Sequence, residues 1–471
     1  MRKLAKVYEY LIYILPAVLF FSYYPIFSIG ATGSMNLEFS LPLVWLALFD
    51  LVALILMFYK IKFGQKYQGI TDRKFFMFSW LPFLATLSIF WSQNPLRGIL
   101  TSGILWLVFL AIFALIFLTK IFVTDFSKTK IIKCFMISSC IICVWCFVQC
   151  ILNVAGVGRD VTLLCAGCTV QSFGFPHPNG FAIEPQFMGN LLLAPTLYVL
   201  YQFVKKRSTK NTILLAFFSA TLFLTFSRGA IYAFAVAVIA MLIMEIIKTK
   251  KAAPLKSLLV IIAAFIFTLN LQGIFSALSY TDDDYFSGVN KVISQLSLGL
   301  IDFKRSEAPE ESDIDYLKEA PVNESIDPGK SEFDGYVEES TAVRMQLTRA
   351  ALEVWKEDPK TMLIGVGLGG AGEALFEHNK TGSKKEIVQN EYASILLELG
   401  LVGVILLIVI FILTFWAIKQ SPNSGLLLPL LLAYAVTLLF FSGLPNALHI
   451  YLTPALFLLI AERPGTKIAK K

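Results

Sequence analysis

The sequence predicts an all-α polytopic membrane protein, and three observations carry that prediction. Of 471 residues, 56% are hydrophobic and only 15% are charged, with a mean hydropathy of +0.70; this balance excludes an ordinary soluble globular fold. Apolar runs near the ~20 residues needed to cross a ~30 Å hydrocarbon core recur from end to end, without the two-residue alternation of a barrel strand. Lysine and arginine concentrate in alternate short loops, and therefore on one side, the asymmetry that orients a multi-pass chain.

The runs lie at 8–30, 42–59, 75–91, 99–118, 134–154, 184–204, 211–226, 229–247, 257–277, 401–418, 424–443 and 446–461, about twelve spans. The first follows Met1-Arg-Lys-Leu-Ala-Lys6 and lacks a small-residue cleavage site, so it reads as a retained helix. Arg2, Lys3, Lys60, Lys66, Lys120, Lys133, Lys205, Arg207, Lys248, Lys256, Lys419 and Lys467 share one face, while the short loops opposite hold Arg97, Arg159 and Arg228. Both termini are then cytoplasmic. The net charge of +7 is mostly this topology signal and gives no reason to expect a nucleic-acid partner. Three regions follow: a nine-helix membrane region at 1–277, an external loop at 278–386, and the last three transmembrane helices at 387–471.

Residues 1–156 read as scaffold packed against membrane lipids. Cys140, Cys143, Cys146 and Cys150 recur at helical spacing and read as small hydrophobes for close helix contact, with a metal site the lesser alternative. Cys165 and Cys168 form a CxxC in an outside loop; in an oxidising compartment a disulfide is the first expectation, ahead of a free pair or a metal-ligand pair. Prolines and glycines over 173–190 break the next span at its outer mouth and leave His177 and Glu184 near the membrane surface. Either they line a cavity, as broken membrane helices do, or Glu184 simply caps the helix start.

Ser227-Arg228-Gly229 joins two apolar runs with almost no loop. An arginine held there costs up to ~2.5 to 3.5 kcal/mol if it sits at mid-bilayer and less near the surface; it is either functional or a snorkelling helix-end residue. Beyond residue 278 the chain turns acidic, with a centre at 282–339 that is short of core material. Over 288–300 the apolar face of Val289, Val292, Ile293 and Leu296 suits a membrane surface. From 341 to 357, Val343, Leu347, Ala350, Ala351 and Val354 form one helical stripe. Arg344 flanks that stripe and is the site candidate; Arg349, with Glu353 four positions on, reads as structural. The glycine run Gly365-Val-Gly-Leu-Gly-Gly370 matches neither a P-loop nor a dinucleotide fingerprint and reads first as a bare turn, with Gly365 and Gly367 able to bring backbone amides close to a ligand. Glu391, Ser394 and Glu398 share one helical face, as cavity-lining acids or as the polar side of an interfacial helix.

Four motifs occur in a fixed order: Phe226-Ser-Arg-Gly-Ala230, Arg344 ahead of Pro359, the glycine run, and Val388-Gln-Asn-Glu-Tyr392 leading into Leu397-Glu-Leu-Gly-Leu-Val-Gly403. With a large external loop between the first and the second, they resemble the O-antigen ligase and polymerase superfamily over about 170–420. The resemblance implies a GT-C-like membrane glycosyltransferase without metal or other cofactor. Such an enzyme moves a glycan from a polyprenyl diphosphate donor to a lipid or glycan acceptor outside the cytoplasmic membrane. Carried over, Arg228 and Arg344 would hold the diphosphate, with the outside Arg159 as a third candidate, while Gln389 and Asn390 belong to the acceptor or structural motif. Ligases of the family usually place a histidine where this chain has Gln389. Glutamine is no base near neutral pH, so Glu391, Glu184 and His177 are the candidates for activating the acceptor. Polymerisation of repeat units is the alternative within the superfamily; a lipid or glycan transporter or flippase is the alternative outside it.

Overall fold

The computed structural model describes residues 2–21, 25–30, 36–62, 77–123, 126–155, 177–182, 184–250, 253–278, 285–297, 301, 333–384, 386–440 and 447–461. Helices dominate. Seven are long and apolar enough to cross a membrane: Leu41–Tyr59, Pro95–Phe122, Lys128–Val154, Pro185–Lys205, Arg228–Thr249, Lys256–Leu278 and Glu391–Lys419. Shorter apolar helices at Trp80–Trp91, Thr209–Leu224, Ser424–Thr437 and Leu448–Ile460 occupy four more of the expected runs. The remaining run, 8–30, is corrected: its helix occupies Arg2–Leu19, and Pro25–Gly30 pairs antiparallel with Asn36–Ser40. Ile26, Phe27 and Ile29 in the first stretch and Leu37 and Phe39 in the second flank the small and polar Ala-Thr-Gly-Ser-Met, the composition of a hairpin.

Eight helices position the site, and we number them in chain order: α1, Pro185–Lys205; α2, Thr209–Leu224; α3, Arg228–Thr249; α4, Lys256–Leu278; α5, Tyr285–Leu296; α6, Phe333–Trp355; α7, Glu391–Lys419; and α8, Ser424–Thr437. Helix α1 is the hub. Of its most apolar stretch 78% is buried, against 22% for α7, and it packs on α2, α3 and α8. The largest core is made of membrane-type side chains such as Phe218, Phe234, Leu192, Leu197 and Leu430. Cys143 and Cys146 belong to it and Cys150 to a neighbouring cluster. All three are fully buried among apolar side chains, where a thiol packs as a small apolar group.

A second core joins α6 to the start of α7: Leu347, Ala350, Ala351 and Val354 of α6 meet Ala374, Leu375, Val388 and, from α7, Leu397. This is the expected stripe, with Val343 packed at its edge. Two expectations for the external loop change. Helix α5 turns its apolar face inward, burying Val292 against Phe226 and Phe275, because Gly273 and Gly288 let it approach α4 closely. Glu353 pairs with Lys380 rather than Arg349, since the chain after Glu377 returns beside α6. Most of the acidic centre lies outside the described residues.

Candidate functional site

The connection from α2 to α3 is built by the main chain. Thr225 Oγ1 donates to the Leu222 carbonyl at 2.7 Å and accepts from the Ser227 amide at 3.4 Å. Phe226 takes a left-handed backbone, φ 48°, which costs a non-glycine residue ~1–2 kcal/mol. Its ring is 2% exposed, among Cys150, Leu224, Phe275 and Val292; burying a phenylalanine is worth ~1.5–3 kcal/mol, enough to hold the strained turn. Ser227 then caps α3 by accepting from the Ala230 amide at 3.3 Å. Arg228 is the first residue of α3 and half-buried, so its charge adds to the positive end of that helix. Glycines fit this turn between its neighbours. A Cβ on Gly189 of α1 would come within 2.9 Å of both Ala230 and Ser227 Cβ, and one on Gly229 within 3.0 to 3.2 Å of Phe440.

Arg344 is held differently, by side-chain amides. Its Nε donates to Gln389 Oε1 at 2.8 Å and its Nη2 to Gln186 Oε1 at 3.1 Å. Gln186 Nε2 donates in turn to the Phe440 carbonyl at 3.0 Å. Phe440 is thus the shared neighbour: its side chain lies against Gly229, with its ring centroid 6.1 Å from that of Tyr232, and its carbonyl is tied through Gln186 to Arg344. The starts of α1, α3 and α7 and the chain just past the end of α8 meet here, while α1, α3 and α7 run on to Lys205, Lys248 and Lys419.

On the other side of Gln389, Asn390 caps α7 by accepting from the amides of Tyr392 and Ala393 at 3.1 and 3.2 Å. Glu391 is 6% exposed and its amide donates to the Leu438 carbonyl at 2.9 Å. Glu391, Ser394 and Glu398 line a cavity of about 80 Å³ together with Arg97, Thr101 and Glu386. That is room for several waters or a hydroxyl-bearing group.

The glycine run is a joint between backbones. Gly365 and Gly400 both have positive φ, 72° and 63°. A Cβ on either would lie 2.3 to 2.5 Å from the other segment's main chain, at Glu398 and Leu399 for the first and at Leu363 and Ile364 for the second. The Val366 and Gly367 amides donate to the Leu397 and Glu398 carbonyls at 2.9 Å, so the Gly367 amide is spent on protein. Leu368 closes the joint on the other side, donating to Ser88 Oγ at 3.0 Å and accepting from Ser92 Oγ at 2.7 Å. The loop packs between Glu398 of α7 and Arg97 near the start of the helix Pro95–Phe122, both of which line the cavity wall.

Arg228, Arg344, Gln389, Asn390 and Glu391 are thereby gathered in one region. Glu184 is exposed at the start of α1 and its carboxylate makes no capping hydrogen bond. His177 is 2% exposed in a loop that Gln149 clamps by accepting from the Gly180 amide at 2.9 Å and donating to Asn179 Oδ1 at 3.1 Å; burial pulls its imidazole down to about 3. Arg159, Cys165 and Cys168 lie outside the described residues. Gln186, Phe440 and Arg97 are parts of the site that sequence reasoning did not single out. Arg97 carried a signal as an outside-loop arginine beside Arg159 and Arg228, and Gln186 as a polar side chain just inside a proline-started helix; Phe440 carried none.

No curated protein matches the chain. The family model described as O-Antigen ligase matches residues 213–408, which take in Ser227-Arg228-Gly229, Arg344, the glycine joint and the Gln389 motif. Over that segment, which is less than half of the chain, this helical membrane protein is similar to the O-antigen ligase family.

Proposed function

We propose that the chain is a membrane glycosyltransferase of cell-surface polysaccharide biosynthesis, moving a polyprenyl-diphosphate-linked glycan to a lipid or glycan acceptor on the outer face of the cytoplasmic membrane. The observation that carries this reading is the tie between the Ser-Arg-Gly turn and Arg344 through Phe440 and Gln186. It draws two guanidinium-bearing elements together at helix ends remote from the lysine-bearing ones. About twelve spans in a GT-C-like arrangement, with cytoplasmic termini, put that end outside.

The chemistry needs little else. The acceptor oxygen attacks the anomeric carbon from the face opposite the diphosphate, inverting it, and the carbon–oxygen bond to the leaving group breaks with its electron pair passing to the diphosphate. Fixed guanidinium forks stabilise that developing charge without reorganising, and they match phosphate oxygens in pairs as an ammonium does not. The acceptor proton passes to the Glu391 carboxylate at the cavity wall; Gln389 orients Arg344 and takes no proton. His177, buried and very weakly basic, and Glu184, exposed, serve this step less well. Ligation and repeat-unit polymerisation share these steps and differ in the acceptor.

The test is transfer in proteoliposomes with a polyprenyl diphosphate glycan donor, a chelator and no energy source. New glycosidic bonds are expected, with Arg228→Lys and Arg344→Lys each losing at least ~100-fold while still inserting. Donor crossing the bilayer without bond formation, or near-normal transfer by both lysine variants, would overturn the assignment.

A further inference from the structure

We propose that Gln186 is a positioning residue, which holds Arg344 in register with the Ser-Arg-Gly turn so that both guanidinium groups address one diphosphate. The inference rests on the diphosphate reading above, and Gln186 lies outside the matched segment 213–408.

One turn of α1 touches both arginine-bearing elements. Pro185 starts the helix, Gln186 follows it, and Gly189 comes three residues later, on the same face. Gly189 seats α1 against Ser227 and Ala230, so closely that a Cβ there would lie 2.9 Å or less from each. From that fixed seat Gln186 reaches the other arm, accepting from Arg344 Nη2 at 3.1 Å while donating to the Phe440 carbonyl at 3.0 Å. Phe440 is itself pressed on Gly229, next to Arg228. The amide orientation follows from the partners: a guanidinium only donates and a carbonyl only accepts, so the oxygen must face Arg344 and the nitrogen Phe440. Glutamine meets both demands at this reach. Ionised glutamate meets only the first, and methionine of similar length meets neither. A neutral amide also orients the guanidinium without itself adding a countercharge, which a carboxylate at 186 would do.

The test measures binding of a polyprenyl diphosphate, free of glycan, to the detergent-purified full chain, with melting temperature and monodispersity as folding controls. Gln186→Met should weaken binding by about tenfold, as expected for removing a hydrogen bond to a charged group. In an Arg344→Ala background the same change should add less than about twofold, because a residue acting through Arg344 has nothing left to position. Gln186→Glu should weaken binding at least as much as Gln186→Met, and it decides the matter if the methionine variant does not fold. Wild-type affinity in both position-186 variants would overturn the proposal, as would an undiminished loss in the Arg344→Ala background, which marks an independent structural role. Wild-type affinity in Arg344→Ala would instead overturn the diphosphate reading, and this proposal with it.

Discussion

Arg228 and Arg344 reach the site by opposite means. Arg228 is carried on a main-chain turn in which a left-handed Phe226, a serine cap and two close-packed glycines leave the backbone little choice. Arg344 extends from the body of α6 and is steadied by two amide side chains that the rest of the molecule supplies. The first arrangement is rigid and intolerant of added volume. The second tolerates volume better and depends on hydrogen-bond chemistry, so the two should fail under different substitutions.

The largest effect is expected from crowding the turn. Gly189→Val places carbon where less than 3 Å is available to Ala230 and Ser227. It should cost about 1–3 kcal/mol or more of stability and, by moving Arg228, on the order of 100-fold in transfer; wild-type transfer would mean the turn is softer than its packing suggests. A smaller loss is expected from the caps. Ser227→Ala and Asn390→Ala each remove side-chain acceptors at a helix start, worth about 1 kcal/mol in thermal or denaturant unfolding. The serine variant should disturb transfer more, because its helix begins with the arginine itself.

His177 sharpens the comparison from outside the arginine pair. Its folded-state pKa, held by burial at about 3, lies below the ordinary ~6.5, so between those values the unfolded chain binds more protons. Stability contributed by the neutral imidazole is complete above pH ~6.5 and is lost as pH falls towards 3. Removing the imidazole with His177→Gln should flatten that part of the melting-temperature profile; an unchanged slope would count against a buried, neutral histidine. The smallest effect belongs to Arg349→Ala. That arginine is exposed on α6, and its loss should move stability by no more than ~0.5 kcal/mol and leave transfer intact.

The membrane helices were legible because hydropathy is local. Arg344 was separable from Arg349 for a similar reason: its place beside the Leu347, Ala350 and Val354 stripe sets its helical face. The hairpin at Pro25–Gly30 and Asn36–Ser40 was not legible, since its phenylalanines and isoleucines merge with the apolar run before them. Gly365 and Gly400 meet across a separation of 35 positions, and nothing in a glycine announces its distant partner. Gln186 shows the same limit, for an amide at a helix start acquires its role only when Arg344 and Phe440 arrive from elsewhere in the chain.

The central claim, that a main-chain-held and a side-chain-held arginine share one diphosphate, is tested most directly by determining the structure of the chain in lipid nanodiscs with bound polyprenyl diphosphate. The expected result is phosphate oxygens within about 3 Å of guanidinium nitrogens of both Arg228 and Arg344. A diphosphate held by one of them alone, or bound at the lysine-bearing ends of the helices, would contradict it.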